Sequence, residues 1–216
     1  MKIQIQDRCP PVTIVLVLLG LLWSAAVMAA ETVAEPPASD AAPAVVVEAL
    51  ERGLIAAMRA GKTMDFAARS DFLRPLIERT LDIPRMGRFI FAAHWRTFDE
   101  PAQQQFIAAF TRLSVANYAD HFDQYKGERF EAVTVEQPDE TRARVRHRLI
   151  KGSGEAVAFD YLLFNNNGEW RIINIITDGV SDLALKRSQY GTLYDQGGLP
   201  AVIEEIEAQS RKLAHE

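Results

Sequence analysis

Four arginines alternate along one short segment, at Arg142, Arg144, Arg146 and Arg148, and a carboxylate, Asp160, follows on the next extended stretch. An arginine at every second position of a strand puts all four guanidinium groups on one sheet face. Such a stripe serves either as a solvated face crossed by ion pairs, each contributing about 1 kcal/mol or less, or as a contact for lipid headgroups or an acidic partner. Asp160, beside Tyr161, is the carboxylate best placed for general-base work of the kind done in cone-shaped α+β enzymes, with His147 as a possible helper. That chemistry requires Asp160 to point into a pocket.

Other catalytic constellations are missing. The histidines are His94, His121, His147 and His215, and no two have the i, i+4 spacing of a helical metal site. Gly179-Val180-Ser181 lacks the second flanking glycine of a nucleophile elbow, since Leu183 stands two positions after the Ser, so Ser181 reads as a helix cap. No glycine loop is arranged for phosphate. The expectation is a protein without catalytic residues, metal or cofactor.

The elements that position these residues fall into three groups. Helical periodicity runs over Val45 to Ala60, Asp65 to Leu81, Ile83 to Ala93, and from Pro101 to about Tyr125, with Thr97 or Asp99 as the cap of the last. On that long helix Phe106, Phe110, Leu113 and Asn117 share one stripe; Phe110, Ser114, Tyr118, His121 and Tyr125 share the neighbouring one. The period then becomes 2 over Phe130 to Gln137, Thr141 to Lys151, Ala156 to Asn165 and Glu169 to Thr177. Turn residues at Pro138-Asp139, Gly152-Ser153-Gly154 and Asn167-Gly168 link these as consecutive hairpins. Two helices close the chain, one to about Asp195 and, after Gly197-Gly198, one over Leu199 to Leu213, where Ile203, Ile206 and Leu213 are expected to pack on the same domain. The fold class expected is α+β: N-terminal helices, a four-stranded antiparallel meander, C-terminal helices.

Symmetric closure of the 152–155 turn sets Leu149 against Val157, His147 against Phe159, Val145 against Tyr161 and Ala143 against Leu163. Carried through Asn167-Gly168, the same face gains Trp170, Ile172, Asn174 and Ile176, while Ala158, Asp160, Leu162, Ile173 and Ile175 join the arginines. A large apolar face is either a filled core or one wall of a pocket. If the helices stand off the sheet, Phe159, Tyr161, Trp170 and the long helix's aromatics would enclose an apolar tail, at about 25 cal/mol per Å² buried.

The amino terminus points to export. Lys2 and Arg8 precede an apolar run over Val12 to Val27, and Ala25, Ala26, Ala29 and Ala30 supply small residues, the layout of a secretory signal peptide cut after Ala29 or Ala30. The run is short for a membrane span. The single cysteine, Cys9, would leave with the signal, so the mature chain would hold no disulfide. Removing Lys2, Arg8 and Asp7 from 24 basic and 29 acidic residues leaves 22 and 28, a net charge of −6. That balance argues against a nucleic-acid binder. Residues 31–43, rich in Ala, Pro and Glu, read as a tether, and 44–216 as one domain.

With these features assembled, the chain resembles the periplasmic toluene-tolerance or phospholipid-transport family, MlaC, over roughly residues 45–213. The resemblance rests on the Trp95 segment followed by Gln104, Phe106, Phe110, Leu113 and Tyr118, and on Tyr161, Trp170, Ile172, Asp178-Gly179-Val180-Ser181, Arg187 and Tyr190. FDQYKGERF at 122–130 and DGVSDLAL at 178–185 look closest to the hopanoid-associated HpnM branch. Asn174 departs from the acidic residue many members carry four positions after the Trp. The resemblance implies a non-enzymatic shuttle that carries a phospholipid or hopanoid between an inner-membrane transporter and the outer membrane; apart from the resemblance, a monomer is expected. The lipid-binding residues expected are Phe106, Phe110, Tyr118, Val145, Leu149, Phe159, Tyr161, Leu163, Trp170 and Ile172, with Arg144, Arg148 and Arg187 meeting headgroups or a partner. The alternatives are a cone-fold enzyme built on Asp160, which predicts that carboxylate at a pocket floor, and an adaptor binding through the Arg142–Arg148 stripe, which predicts a filled core.

Overall fold

The computed structural model describes residues 42–215; the expected signal segment and nearly all of the expected tether lie outside the described residues. Among the described residues five α-helices and five strands follow in the order α1 (Pro43–Ala60), α2 (Phe66–Thr80), α3 (Ile83–Phe91), α4 (Glu100–His121), β1 (Arg129–Asp139), β2 (Arg142–Ile150), β3 (Ala156–Asn166), β4 (Glu169–Thr177), β5 (Val180–Ser181) and α5 (Asp182–His215), with short 3-10 turns at Gly61–Thr63 and Ala92–Thr97. The architecture is α+β, as expected, with a fifth, two-residue strand added to the meander.

Local chemistry explains the helix starts. Asp65, Asp82, Asp99 and Ser181 each accept a hydrogen bond from the backbone N–H three residues on, at 2.8, 2.9, 2.9 and 3.1 Å, which satisfies an otherwise unpaired first-turn donor. Pro43, Pro84 and Pro101 occupy first-turn positions where no N–H is needed. The two closing helices meet at Gly198, whose φ of 67° and ψ of −166° break the helical path; Pro200 then opens the second arm. Gly87 lets α3 approach α4: a Cβ there would stand 2.6 Å from the Trp95 ring and 3.0 Å from Phe106.

The sheet order is β1-β2-β3-β4-β5, all antiparallel. The β2–β3 register matches the symmetric turn: Leu149 opposes Val157, His147 Phe159, Val145 Tyr161, and Ala143 Leu163. β4 departs from simple alternation. Leu163 opposes Ile172 but Leu162 opposes Asn174, so Ile173 is an extra residue, a β-bulge. Beyond it the faces exchange. Ile175, expected among the arginines, opposes Tyr161 on the inner face, and Ile176, expected inside, opposes Asp160. The α2–α3 linker pairs alongside β4, with Asp82 N–H donating to the Ile172 carbonyl at 2.9 Å, and covers part of that sheet edge.

The core has two parts. Phe91, Trp95, Phe98, Phe106 and Tyr194 form an aromatic cluster with ring centroids 4.9 to 6.2 Å apart among the helices. Helix α1 lies directly on β2 and β4, whereas α4 rests on α2, α3 and α5 and has no extensive contact with the sheet. The gap this leaves under α4 is the feature on which function turns.

Candidate lipid pocket

The space between α4 and the sheet is a cavity of about 610 Å³, in the size range of small-molecule sites. Its depth is apolar. Met58, Leu81, Met86, Phe110, Leu149 and Leu183 line it and are buried, and Phe159 and Ile175 add half-buried walls. It reaches solvent beside His121, Gln124 and Lys126, which are exposed. One side of α4 supplies Phe110, Ser114, Asn117, Tyr118 and His121 at helical spacing, so that face becomes polar toward the mouth. The 122–128 segment, the ends of β3 and β4, and the first turn of α5 complete the rim.

Hollow and solid regions occupy opposite ends of the same sheet face. Leu149, Phe159, Ile175 and Thr177 border the cavity, while Ala143, Val145, Leu163, Trp170 and Ile172 belong to the packed core. His147 marks the division: it is buried between Val145 and Leu149, and Nδ1 lies 2.8 Å from a Glu51 carboxylate oxygen on α1. Tyr161 is 1 % exposed beside this pair, its ring at 6.0 Å from Phe159. Burial first, and then the Glu51 carboxylate, push the Tyr161 phenol well above its ordinary range.

Of the residues expected to touch lipid, Phe110, Tyr118, Leu149 and Phe159 line the cavity. Phe106, Val145, Tyr161, Leu163, Trp170 and Ile172 are placed instead in the core behind it, each at most 7 % exposed, because α1 and the aromatic cluster close on them. Sequence reasoning missed Met58, Leu81, Met86, Phe122, Leu183 and Lys186, which come from five separate helices or loops and carry no joint pattern. Ile175 was missed because of the bulge.

The arginine stripe is largely engaged. Arg144 pairs with Asp160, Arg146 with Glu136 at 3.1 Å and with Asp160 at 3.5 Å, and Arg142 with Asp139 at 2.6 Å. Arg148 is exposed, and the exposed Arg187 lies 5.1 Å over the Phe89 ring. Asp160 faces these guanidinium groups on the sheet side opposite Tyr161 and is absent from the cavity lining, so it has no access to a substrate held there. The adaptor alternative predicts a filled core, which the cavity contradicts. Among the described residues no cluster of metal-ligating side chains occurs, and no helix is long and apolar enough to cross a membrane.

The chain is similar to known proteins. The toluene tolerance protein ttg2D of Pseudomonas putida is 24 % identical over 129 residues, an alignment spanning 59 % of this chain and 60 % of that protein. A phospholipid-binding protein from Ralstonia solanacearum, solved in complex with a phospholipid, superimposes with a TM-score of 0.68 at 18 % identity, over 79 % of this chain and 97 % of that one. It shares the fold. The family model described as MlaC protein matches residues 48–208, a span that holds α4, the whole sheet and most of α5, and the chain belongs to the MlaC family.

Proposed function

We propose that this protein is a periplasmic lipid carrier that takes a membrane lipid from, or hands it to, an inner-membrane transporter and exchanges it with the outer membrane. The observation that carries this reading is the cavity of about 610 Å³ with an apolar floor and a polar, solvent-reaching mouth. A lipid tail in that floor leaves water at about 25 cal/mol per Å², so a few hundred Å² suffices to hold it. A half-open cavity also permits release at a second membrane. Phe110, Tyr118, Leu149 and Phe159 are the tail contacts, joined by Met58, Met86, Ile175 and Leu183. Arg148 and Arg187, exposed on the surface, are available to a docking partner. The ligand reported for the Ralstonia solanacearum structure supports a lipid of the phospholipid class, and the DGVSDLAL segment supports a hopanoid.

The test is direct. Protein purified from native membranes-intact cells is extracted with organic solvent, and the extract analysed by mass spectrometry. A stoichiometric phospholipid or hopanoid is expected. Protein that carries no lipid, and that after delipidation takes none up from vesicles, removes the carrier reading.

A further inference from the structure

Two thioethers stand in the apolar wall of the cavity. Met58, in the last turn of α1, and Met86, in α3, both line it, and each is at most 6 % exposed. Their apolar neighbours on that wall, Leu81, Leu149, Ile175 and Leu183, are saturated hydrocarbon and inert to oxygen transfer. The third methionine among the described residues, Met64, is absent from this lining; it is half-buried and borders a smaller hollow with Lys62 and Arg69. The single cysteine, Cys9, lies outside the described residues. Met58 and Met86 therefore present the softest nucleophiles that a molecule inside the cavity meets.

Burial decides which oxidant can reach them. A water-borne oxidant attacks methionines in order of exposure, which puts Met64 first. A lipid tail that bears a hydroperoxide carries its O–O bond into the cavity with it. Confinement there replaces a dilute encounter with a standing contact. The sulfur lone pair attacks the terminal oxygen of the hydroperoxide, an S–O bond forms and the O–O bond breaks. The alkoxide left on the tail takes the proton that the terminal oxygen carried. The thioether is oxidised to a sulfoxide, the hydroperoxide is reduced to an alcohol, and no other reactant is consumed. The product also changes the wall. A sulfoxide oxygen is a hydrogen-bond acceptor, and its hydrocarbon neighbours supply no donor, so the oxidised wall is a poorer surface for an apolar tail.

We propose that Met58 and Met86 are oxygen-acceptor sites that reduce a hydroperoxide carried on a bound lipid tail, and that their oxidation loosens the hold on cargo. This inference rests on the carrier reading and adds to it a chemical activity toward one class of cargo, the peroxidised lipid. The two sulfurs come from separate helices that meet at one cavity, so the activity belongs to the folded chain and to no local motif.

The experiment offers delipidated protein vesicles of phosphatidylglycerol that bears a hydroperoxide on one acyl chain. A parallel arm uses the same lipid without the peroxide group and adds aqueous hydrogen peroxide at equal concentration. Peptide mass spectrometry locates the added oxygen, and lipid analysis counts bound lipid and lipid alcohol. The expected result in the first arm is sulfoxide at Met58, Met86 or both, equal in amount to the alcohol, with Met64 oxidised about tenfold less or lower still. Hydrogen peroxide should reverse that order. In the double variant Met58→Leu with Met86→Leu, alcohol formed per bound lipid should fall to the level of vesicles alone. Protein oxidised in the first arm and cleared of lipid should take up unoxidised phosphatidylglycerol about tenfold less well. Hydroperoxide that stays intact while bound, alcohol that appears without sulfoxide at Met58 or Met86, or Met64 oxidised as readily as either, overturns the activity and leaves the carrier standing. Undiminished uptake by the oxidised protein overturns the loosening of cargo. Uptake of neither lipid overturns the carrier itself.

Discussion

His147 Nδ1 on β2 lies 2.8 Å from the Glu51 carboxylate on α1, with both side chains at most 6 % exposed. The pair fastens the first helix to the sheet where the solid end of the interior gives way to the hollow one. Tyr161 and its stacked neighbour Phe159 continue from it toward the cavity. The tie accounts for how one helix can seal half a sheet face while the other half stays open under α4.

Glu51→Ala should therefore destabilise the fold by about 3 kcal/mol, because it strands a buried imidazole without its partner. The double variant Glu51→Leu with His147→Leu should recover much of that loss, since two apolar groups need no partner there. Urea denaturation of both variants checks this. A double variant less stable than Glu51→Ala would mean the pair contributes net stability, contrary to expectation.

Trp170 and Phe159 separate packing from cargo. Trp170, 7 % exposed within the core, should cost about 3–5 kcal/mol when truncated to Ala and leave lipid loading intact at temperatures where the variant is folded. Phe159 borders the cavity, so Phe159→Ala should cost less stability and reduce loading more. Thermal melts and lipid counts on the same preparations decide it, and a Trp170→Ala protein that folds but arrives empty would move Trp170 into the binding wall.

These contrasts explain how much was legible in the chain. The β2–β3 hairpin read out correctly because Gly152 to Glu155 closes symmetrically and parity does the rest. β4 did not: Ile172, Ile173, Ile175 and Ile176 are all isoleucine, so alternation carries no information on which of them faces inward, and the bulge leaves no trace in the pattern. The α4 stripe Phe110, Ser114, Tyr118, His121 was visible, and its polar content is the signal that this face meets a cavity rather than a packed core. Lys186 carried no signal, because an isolated lysine on an amphipathic helix reads as solvated until the fold half-buries it.

Buried phenols make stability depend on alkaline pH. Unfolded tyrosines ionise near pH ~10. Burial, then Asp182, raises the Tyr118 phenol, burial and then Glu51 raises Tyr161, and burial, then Asp182 and Glu205, raises Tyr190. A raised folded-state value means the native chain keeps protons the unfolded chain has lost. The contribution is thus complete below about pH 10 and falls as pH rises above it. Denaturant midpoints measured across that range should decline, and Tyr190→Phe should flatten the decline; an unchanged slope in the variant would show that Tyr190 is not part of the effect.

A substitution that adds volume to the cavity tests the void itself. Ser114 lies on the cavity side of α4, half-buried, its hydroxyl donating to the Phe110 carbonyl one turn back at 2.8 Å. Leu at this position gains helix propensity of a few tenths of a kcal/mol and removes the back-bonding hydroxyl. In a filled core the extra methylenes would cost about 1–3 kcal/mol through overpacking. In an open cavity they bury apolar surface against Leu149 and Phe159 across the gap and cost nothing. Ser114→Leu should therefore melt at or above the parent temperature and carry less lipid, since the added side chain occupies the space a tail would take. Calorimetry and mass-spectrometric lipid counts provide the two readings. A variant that melts markedly lower while its lipid content stays at the parent level would mean that this side of α4 is already packed and that cargo, if carried, lies elsewhere.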